Sequence, residues 1–265
     1  MPIQRWCGRG TGGGRDLSTV NDLEQIIATA NIRTLLQPIF VLSSGRIIGY
    51  EALTRGPRGS PLEMPAALFA AAEQANLLAD LEHLCRQSAL RAKAELLRQR
   101  ELLFLNIDPR VLNGPDFDVY NARSPLVALG IHADAVVLEV TERITDLTQL
   151  QAALNGWKRY GFHIAIDDVG TGHSGLLTLA EIRPHFIKLD MSIIRGVHRD
   201  PVRAALIRAM AQFSRDVRAS VVAEGIEDGD ELAALRELGV DYGQGFFLGQ
   251  PAEKPLPHGR AWAAG

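Results

Sequence analysis

Short apolar runs alternate with longer stretches whose apolar residues recur at helical spacing. Eight runs carry the marks of buried strands: Leu36–Val41, Ile47–Glu51, Leu103–Asn106, Val136–Glu139, His163–Asp167, Phe186–Leu189, Ser220–Glu224 and Tyr242–Phe247. Only Leu42-Ser43-Ser44-Gly45-Arg46 separates the first two. Five residues are too few for a parallel crossover, so these two runs predict an antiparallel hairpin.

Most later runs are separated by helical patterns. Leu147, Leu150, Leu154 and Trp157 share one helical face, with Asp146 placed as N-cap and Gly161 as the stop. Asp200 and Pro201 open another helix, with Val202, Leu206, Met210 and Phe213 as its expected apolar face. Leu232, Leu235 and Leu238 predict the inward side of a further helix ending at Gly239. The Ala/Leu-rich stretch from Pro65 to Arg98 reads as one or two helices. Eight strands with interleaved helices over ~240 residues predict an α/β fold, a (β/α)8-type barrel spanning residues 21–258. An open doubly wound sheet is the alternative, weakened by the lack of a GxGxxG turn after the first strand. Residues 1–20 include Gly8-Arg9-Gly10-Thr11-Gly12-Gly13-Gly14-Arg15 and read as a flexible tail or linker.

Composition narrows the class. Of the 265 residues, 46% are hydrophobic and 22% charged, which suits a folded globular protein. The net charge of −3 argues against a nucleic-acid polymer as partner, so any phosphate ligand must meet local positive charge. Two cysteines, Cys7 and Cys85, in unrelated settings suggest a reducing, cytoplasmic compartment. There is no secretory h-region and no apolar run near the roughly 20 residues of a membrane span.

The candidate chemistry lies where the apolar runs end. The terminal polar residues are Glu51, Asn106, Glu139, Asp167 with Asp168, Lys188 with Asp190, Glu224 and Gln244. A barrel gathers all its strand C-termini at one rim, so these side chains should converge. A single acidic residue at a strand end is ordinarily a helix cap or a solvated turn; several on one rim are not explained that way. Clustered carboxylates repel unless cations neutralise them, and their hard oxygens suit Mg²⁺ or Mn²⁺. Adjacent Asp167 and Asp168 suit two ions about 3.5–4 Å apart, as in two-metal hydrolysis. Lys188, inside an apolar run, reads either as a structural ion pair with Asp190 or another carboxylate, or as a group acting on water or phosphate. Arg55, just past Glu51, could fork onto a phosphate or lie in a solvated loop. Gly170, Gly172 and Gly175 mark a Gly-rich loop after Asp168 that also holds His173. His163, His173 and His185 are given no catalytic role.

These residues resemble the EAL family of cyclic-di-GMP phosphodiesterases, from about Asn31 to Pro251. Tyr50-Glu51-Ala52-Leu53-Thr54-Arg55 is similar to the family's signature, and Gln37-Pro38-Ile39 to its opening strand. Leu105-Asn106-Ile107-Asp108, Glu139-Val140-Thr141-Glu142, Asp167-Asp168-Val169-Gly170-Thr171-Gly172 and Lys188-Leu189-Asp190 follow in the family's order. Ala223-Glu224-Gly225-Ile226-Glu227 and Gln244-Gly245-Phe246 with Pro251 complete it. Leu36, Val169, His173 and Gly175 depart from the usual family residues.

The resemblance implies a modified TIM barrel with one antiparallel strand, and hydrolysis of cyclic di-GMP to linear 5'-pGpG. It implies two divalent cations, with Ca²⁺ inhibitory. Glu51, Asn106, Glu139 and Asp167 would hold one ion, and Asp167, Asp168 and Glu224 the other. Lys188, Glu224 and Glu51 would be catalytic; Gln37, Arg55 and Gln244 would contact substrate. A homodimer coupled through the Gly-rich loop is implied, and an upstream sensory or signalling domain is compatible with the tail. Degenerate members that bind without turnover are the alternative class, usually after losing acidic ligands that this chain retains.

Overall fold

The computed structural model describes residues 17–111, 119–141, 147–171 and 175–256. Cys7, the Gly8–Arg15 run, Glu142, Asp146, Gly172, His173 and the barrel's expected end at 257–258 lie outside the described residues. Eight strands close into a barrel in sequence order. They are β1 (Arg33–Val41), β2 (Ile47–Arg55), β3 (Leu102–Asn106), β4 (Val136–Thr141), β5 (His163–Val169), β6 (Phe186–Leu189), β7 (Ser220–Ala223) and β8 (Tyr242–Gly243). β1 runs antiparallel to both β2 and β8, and every other pair is parallel. The short β1–β2 turn imposes this, as the five-residue spacing predicts.

The barrel interior is built in layers, because alternate side chains of a strand point inward. Ile39, Phe104, Val137, Ala165, Phe186 and Val222 form one apolar layer. The rings of Phe104 and Phe186 meet edge to face with centroids 5.2 Å apart. Two residues further along each parallel strand stand Asn106, Glu139, Asp167, Lys188 and Glu224. On antiparallel β1 the same step runs backwards, from Ile39 to Gln37, which pairs with Glu51 of β2. One pleat therefore separates an apolar floor from a polar mouth.

Helices wrap the outside: α1 (Leu17–Ala28), α2 (Pro65–Ala75), α3 (Leu78–Leu96), α4 (Val119–Ala128), α5 (Leu147–Arg159), α6 (Gly175–Ile182), α7 (Met191–Ile194), α8 (Pro201–Asp216) and α9 (Gly229–Glu237). Leu23 and Ile26 of α1 are buried against Leu68, Ala71 and Ala72 of α2 and Leu81 of α3. The helix thus starts inside the stretch that the sequence assigns to a tail; the amphipathic spacing of Leu23 and Ile26, hidden behind the glycine run, is the reason. Two strands are shorter than expected: β7 stops at Ala223 and β8 at Gly243. The chain turns there so tightly that a Cβ on Gly245 would lie 2.2 Å from Ile226 backbone atoms, which glycine alone permits.

α8 begins as expected, with the Asp200 side chain accepting from the Val202 and Arg203 amides. Its buried face differs from the expected one. Ile207, Met210, Ala211 and Ser214 point inward, while Val202 and Leu206 are 77% and 47% exposed. α8 packs against β7, and the small residues Ala211 and Ser214 lie on its buried face. α9 buries Leu232 and Leu235 as expected, with Leu238 buried just beyond it, and Gly239 in a positive-φ stop. No helix among the described residues is long and apolar enough to cross a membrane.

α3 also buries Glu82, a charge amid the apolar positions Leu81 and Leu84. Burial, reinforced by the nearby Asp108 charge and opposed by Arg86, pushes its carboxyl up to about 8. An unfolded glutamate ionises near 4.5. Folded Glu82 therefore holds its proton where the unfolded chain has lost it. The stability this group contributes is complete below about pH 4.5 and is lost as pH rises through about 8. Glu82→Gln should flatten the pH profile and gain on the order of a few kcal/mol near pH 9. Denaturant melts at about pH 5 and pH 9 test this; parallel profiles in both proteins would remove Glu82 as a titrating element.

Candidate active site

Lys188 lies in β6 at the centre of the mouth, with no exposed surface. Its ammonium is 2.8 Å from Glu139 Oε1, 2.8 Å from Glu224 Oε1, 3.3 Å from Asp167 Oδ1 and 3.5 Å from Glu51 Oε2. Three strands, and the residue just past the end of β7, thus supply carboxylates to a cation on β6. Asp190 takes no part in this ring; its side chain accepts from the Ser192 amide and caps α7. Of the two structural partners open for Lys188 in the sequence, the carboxylate ring is the one observed.

Two amides tie the ring together. Gln244 Nε2 donates to Glu51 Oε2 (2.6 Å) and Glu224 Oε1 (3.0 Å). Asn106 Nδ2 donates to Glu51 Oε1 at 2.8 Å, which leaves its carbonyl oxygen as the atom available to a ligand. Gln37, also buried, donates from Nε2 to the Gly249 carbonyl at 3.2 Å. Arg55 stands at the end of β2, four residues above Glu51, where Nη1 donates to the Thr54 carbonyl.

Adjacent residues of a strand ordinarily face opposite sides. Asp167 and Asp168 escape that rule. The β5–β6 register shifts between Ile166 and Val169, and Asp168 takes a left-handed φ of 57°. Aspartate tolerates this region better than most residues, though such a conformation still costs about 1–3 kcal/mol. The result is that oxygens of Asp167, Asp168 and Glu224 all lie within 4.8 Å of one another.

Four carboxylates face one ammonium and Asp168 adds a fifth beside Asp167 and Glu224, so acidic groups outnumber the cation. Burial pushes Glu139, Asp167 and Glu224 above the ordinary carboxylate range, and their mutual repulsion adds to the rise. Burial acts the same way on Glu51, but Lys188 and the amides of Gln244 and Asn106 outweigh it and hold that group down. Lys188 itself is raised well above its usual value: burial opposes its charge, and four carboxylates more than restore it. It is a cation at neutral pH.

Both oxygens of Glu139 and Oδ1 of Asp167 are buried without a hydrogen-bond donor. The Lys188 ammonium attracts Glu139 Oε1 and Asp167 Oδ1 as an ion pair but stands outside hydrogen-bond geometry. Buried acceptors without donors are costly and need an explanation. The donor set is all hard oxygen, and it fits divalent cations of the Mg²⁺ or Mn²⁺ kind.

The EAL domain model matches residues 20–251. The chain belongs to the EAL domain family. Among curated EAL relatives, "Probable cyclic di-GMP phosphodiesterase PdeG" of Escherichia coli K12 is 30% identical over 238 residues, covering 86% of this chain and 46% of PdeG. An uncharacterized signaling protein of Caulobacter vibrioides is also 30% identical, covering 87% of this chain and 29% of its own length. The chain thus spans less than half of these relatives. Klebsiella pneumoniae BlrP1, solved with manganese and cyclic di-GMP, superposes with a TM-score of 0.76 at 31% identity, covering 84% of this chain and 56% of BlrP1.

The structure brings seven of the residues singled out in the sequence to one mouth: Glu51, Asn106, Glu139, Asp167, Lys188, Glu224 and Gln244. Asp168 joins through the register shift. Gln37 and Arg55 sit beside the ring with partners of their own. Glu82 was not anticipated as a buried acid; its only signal is a glutamate at an inward helical position.

The ring makes a stability prediction. Lys188→Met removes the cation and leaves buried carboxylates facing one another. In EDTA this variant should lose roughly 3–5 kcal/mol. Denaturant titration measures it, and wild-type stability would mean the ammonium does not hold the ring.

Proposed function

We propose that this chain is a divalent-metal-dependent phosphodiesterase that hydrolyses one phosphodiester bond of cyclic di-GMP to give linear 5'-pGpG. The observation that carries the reading is the convergence of Glu51, Asn106, Glu139, Asp167, Asp168 and Glu224 on one mouth, with buried carboxylate oxygens lacking donors. The relatives support it: PdeG is named as a probable cyclic di-GMP phosphodiesterase, and BlrP1 was solved with manganese and cyclic di-GMP.

Glu51, Asn106, Glu139 and Asp167 would hold one ion, and Asp167, Asp168 and Glu224 a second. Bound Mg²⁺ or Mn²⁺ would polarise the phosphoryl oxygen and lower the pKa of water. The chain's own residues do the rest. Gln244 fixes the rotamers of Glu51 and Glu224 before substrate arrives. Lys188, held as a cation, is a poor proton acceptor; its part is to orient the attacking water and balance the ring. The water oxygen attacks phosphorus, the bond to the leaving ribose oxygen breaks, and that oxygen departs with a proton. Arg55, half-buried at the rim, is placed to fork onto a phosphate, and Gln37 lines the same side. Leu176 and Leu177 of α6, 67% and 63% exposed just after the Gly-rich loop, offer an apolar surface to a second copy.

Incubation of purified protein with cyclic di-GMP and Mg²⁺ or Mn²⁺, with and without EDTA, tests the reaction by product chromatography. Metal-dependent pGpG is expected; binding without turnover in either metal would make the chain a receptor instead. Glu51→Ala should abolish turnover. Gln244→Ala, which frees two ligands without removing one, should cost about 10–100-fold. Ca²⁺ should support little activity, since it favours looser, higher coordination than Mg²⁺.

A further inference from the structure

At the opposite, N-terminal end of the barrel lies a cleft of about 620 Å³ lined by Arg46, Ile47, Ile48, Arg98, Gln99, Arg100, Glu101, Leu102 and Tyr242. Its walls are the β1–β2 turn, the α3–β3 connection and the first residue of β8. In TIM barrels the chemistry sits at the other face, so a site here serves binding rather than turnover.

Three arginines, Arg46, Arg98 and Arg100, line this cleft from two separate connections. Among the described residues, their guanidiniums have neither an ion pair nor a hydrogen bond. Glu101, the acidic residue of the lining, is engaged: its Oε2 accepts from the Arg98 amide at 2.8 Å. The wall that carries Arg98 and Arg100 is fixed from below. Lys93, only 3% exposed, donates from Nζ to the Arg98 carbonyl at 3.3 Å and to the Glu101 carbonyl. A buried lysine is thus used to hold a loop whose arginines remain uncommitted. Gln99 and a set of apolar side chains complete the lining. Ile47, Ile48 and Leu102 flank Tyr242, whose ring is set 6.0 Å from that of Phe186.

We propose that this cleft binds a nucleoside polyphosphate, with the phosphates on Arg46, Arg98 and Arg100 and the base against Tyr242 and Ile48. Guanidiniums fork onto phosphate oxygens, and an aromatic ring beside aliphatic side chains suits a planar base. The volume falls within the roughly 300–1,000 Å³ of small-molecule sites. The site stands apart from the metal mouth, at the other end of the barrel.

Calorimetric titration with ATP in EDTA tests this, since chelation removes metal-assisted phosphate binding at the mouth. Saturable binding is expected, weakened about tenfold or more in the Arg46→Glu/Arg98→Glu variant. Both arginines are exposed, and circular dichroism checks the fold. Glu51→Ala should bind ATP as the wild type does. Inorganic triphosphate should bind less tightly than ATP. Absence of saturable binding at several millimolar ATP, equal affinity in the double variant, loss of binding in Glu51→Ala, or triphosphate matching ATP would each overturn the proposal.

Discussion

A closed eight-stranded barrel encloses room for side chains and little for water, so a charge placed inside must be met by another charge. Lys188 carries that burden here. It sits one pleat above an aromatic floor with four carboxylates within 3.5 Å. No strand can rotate or slip by one residue without sending its charged group into the apolar layer between barrel and helices. The ring therefore specifies register as well as chemistry. Its stabilising value is a separate matter: buried ion pairs commonly offset little more than their own desolvation. What they resist is any change that removes one partner.

The ring is over-supplied with negative charge, and this separates it from a structural ion pair. A core salt bridge would match its charges. Here one ammonium meets four carboxylates with a fifth, Asp168, beside them, and three acidic oxygens accept no hydrogen bond. Such an arrangement is poor as architecture and well suited to gathering cations. The left-handed turn at Asp168 has the same character, as local strain that brings a second carboxylate to the centre.

Most of this was legible because strands obey a period of two. An apolar run ending in a polar residue defines an inward direction, and closure then collects those ends. The antiparallel β1 was legible from a five-residue turn. Where the reading failed, the deciding contact was between elements. α8 carries more apolar residues than it can bury, and Ala211 and Ser214 lie on the face it does bury. Periodicity alone could not choose between that face and the one holding Val202 and Leu206. The β5–β6 register shift leaves no mark in the sequence, and Glu82 is recognisable as buried only once α3 is docked. The start of α1 was masked by the glycine run before it.

The near-neutral total charge conceals a polar division of the molecule. A net −3 suggests no preference for phosphate. Yet the barrel sets its acidic ring at one end and three uncommitted arginines at the other. Charges a barrel's height apart in solvent interact weakly, because screening acts over about 8–10 Å. Each end therefore presents its own field to ligands. At the mouth, an acidic ring repels a phosphodiester unless cations intervene. At the foot, the guanidiniums can meet phosphate directly. The same barrel thus presents an acidic field at one end and a basic one at the other.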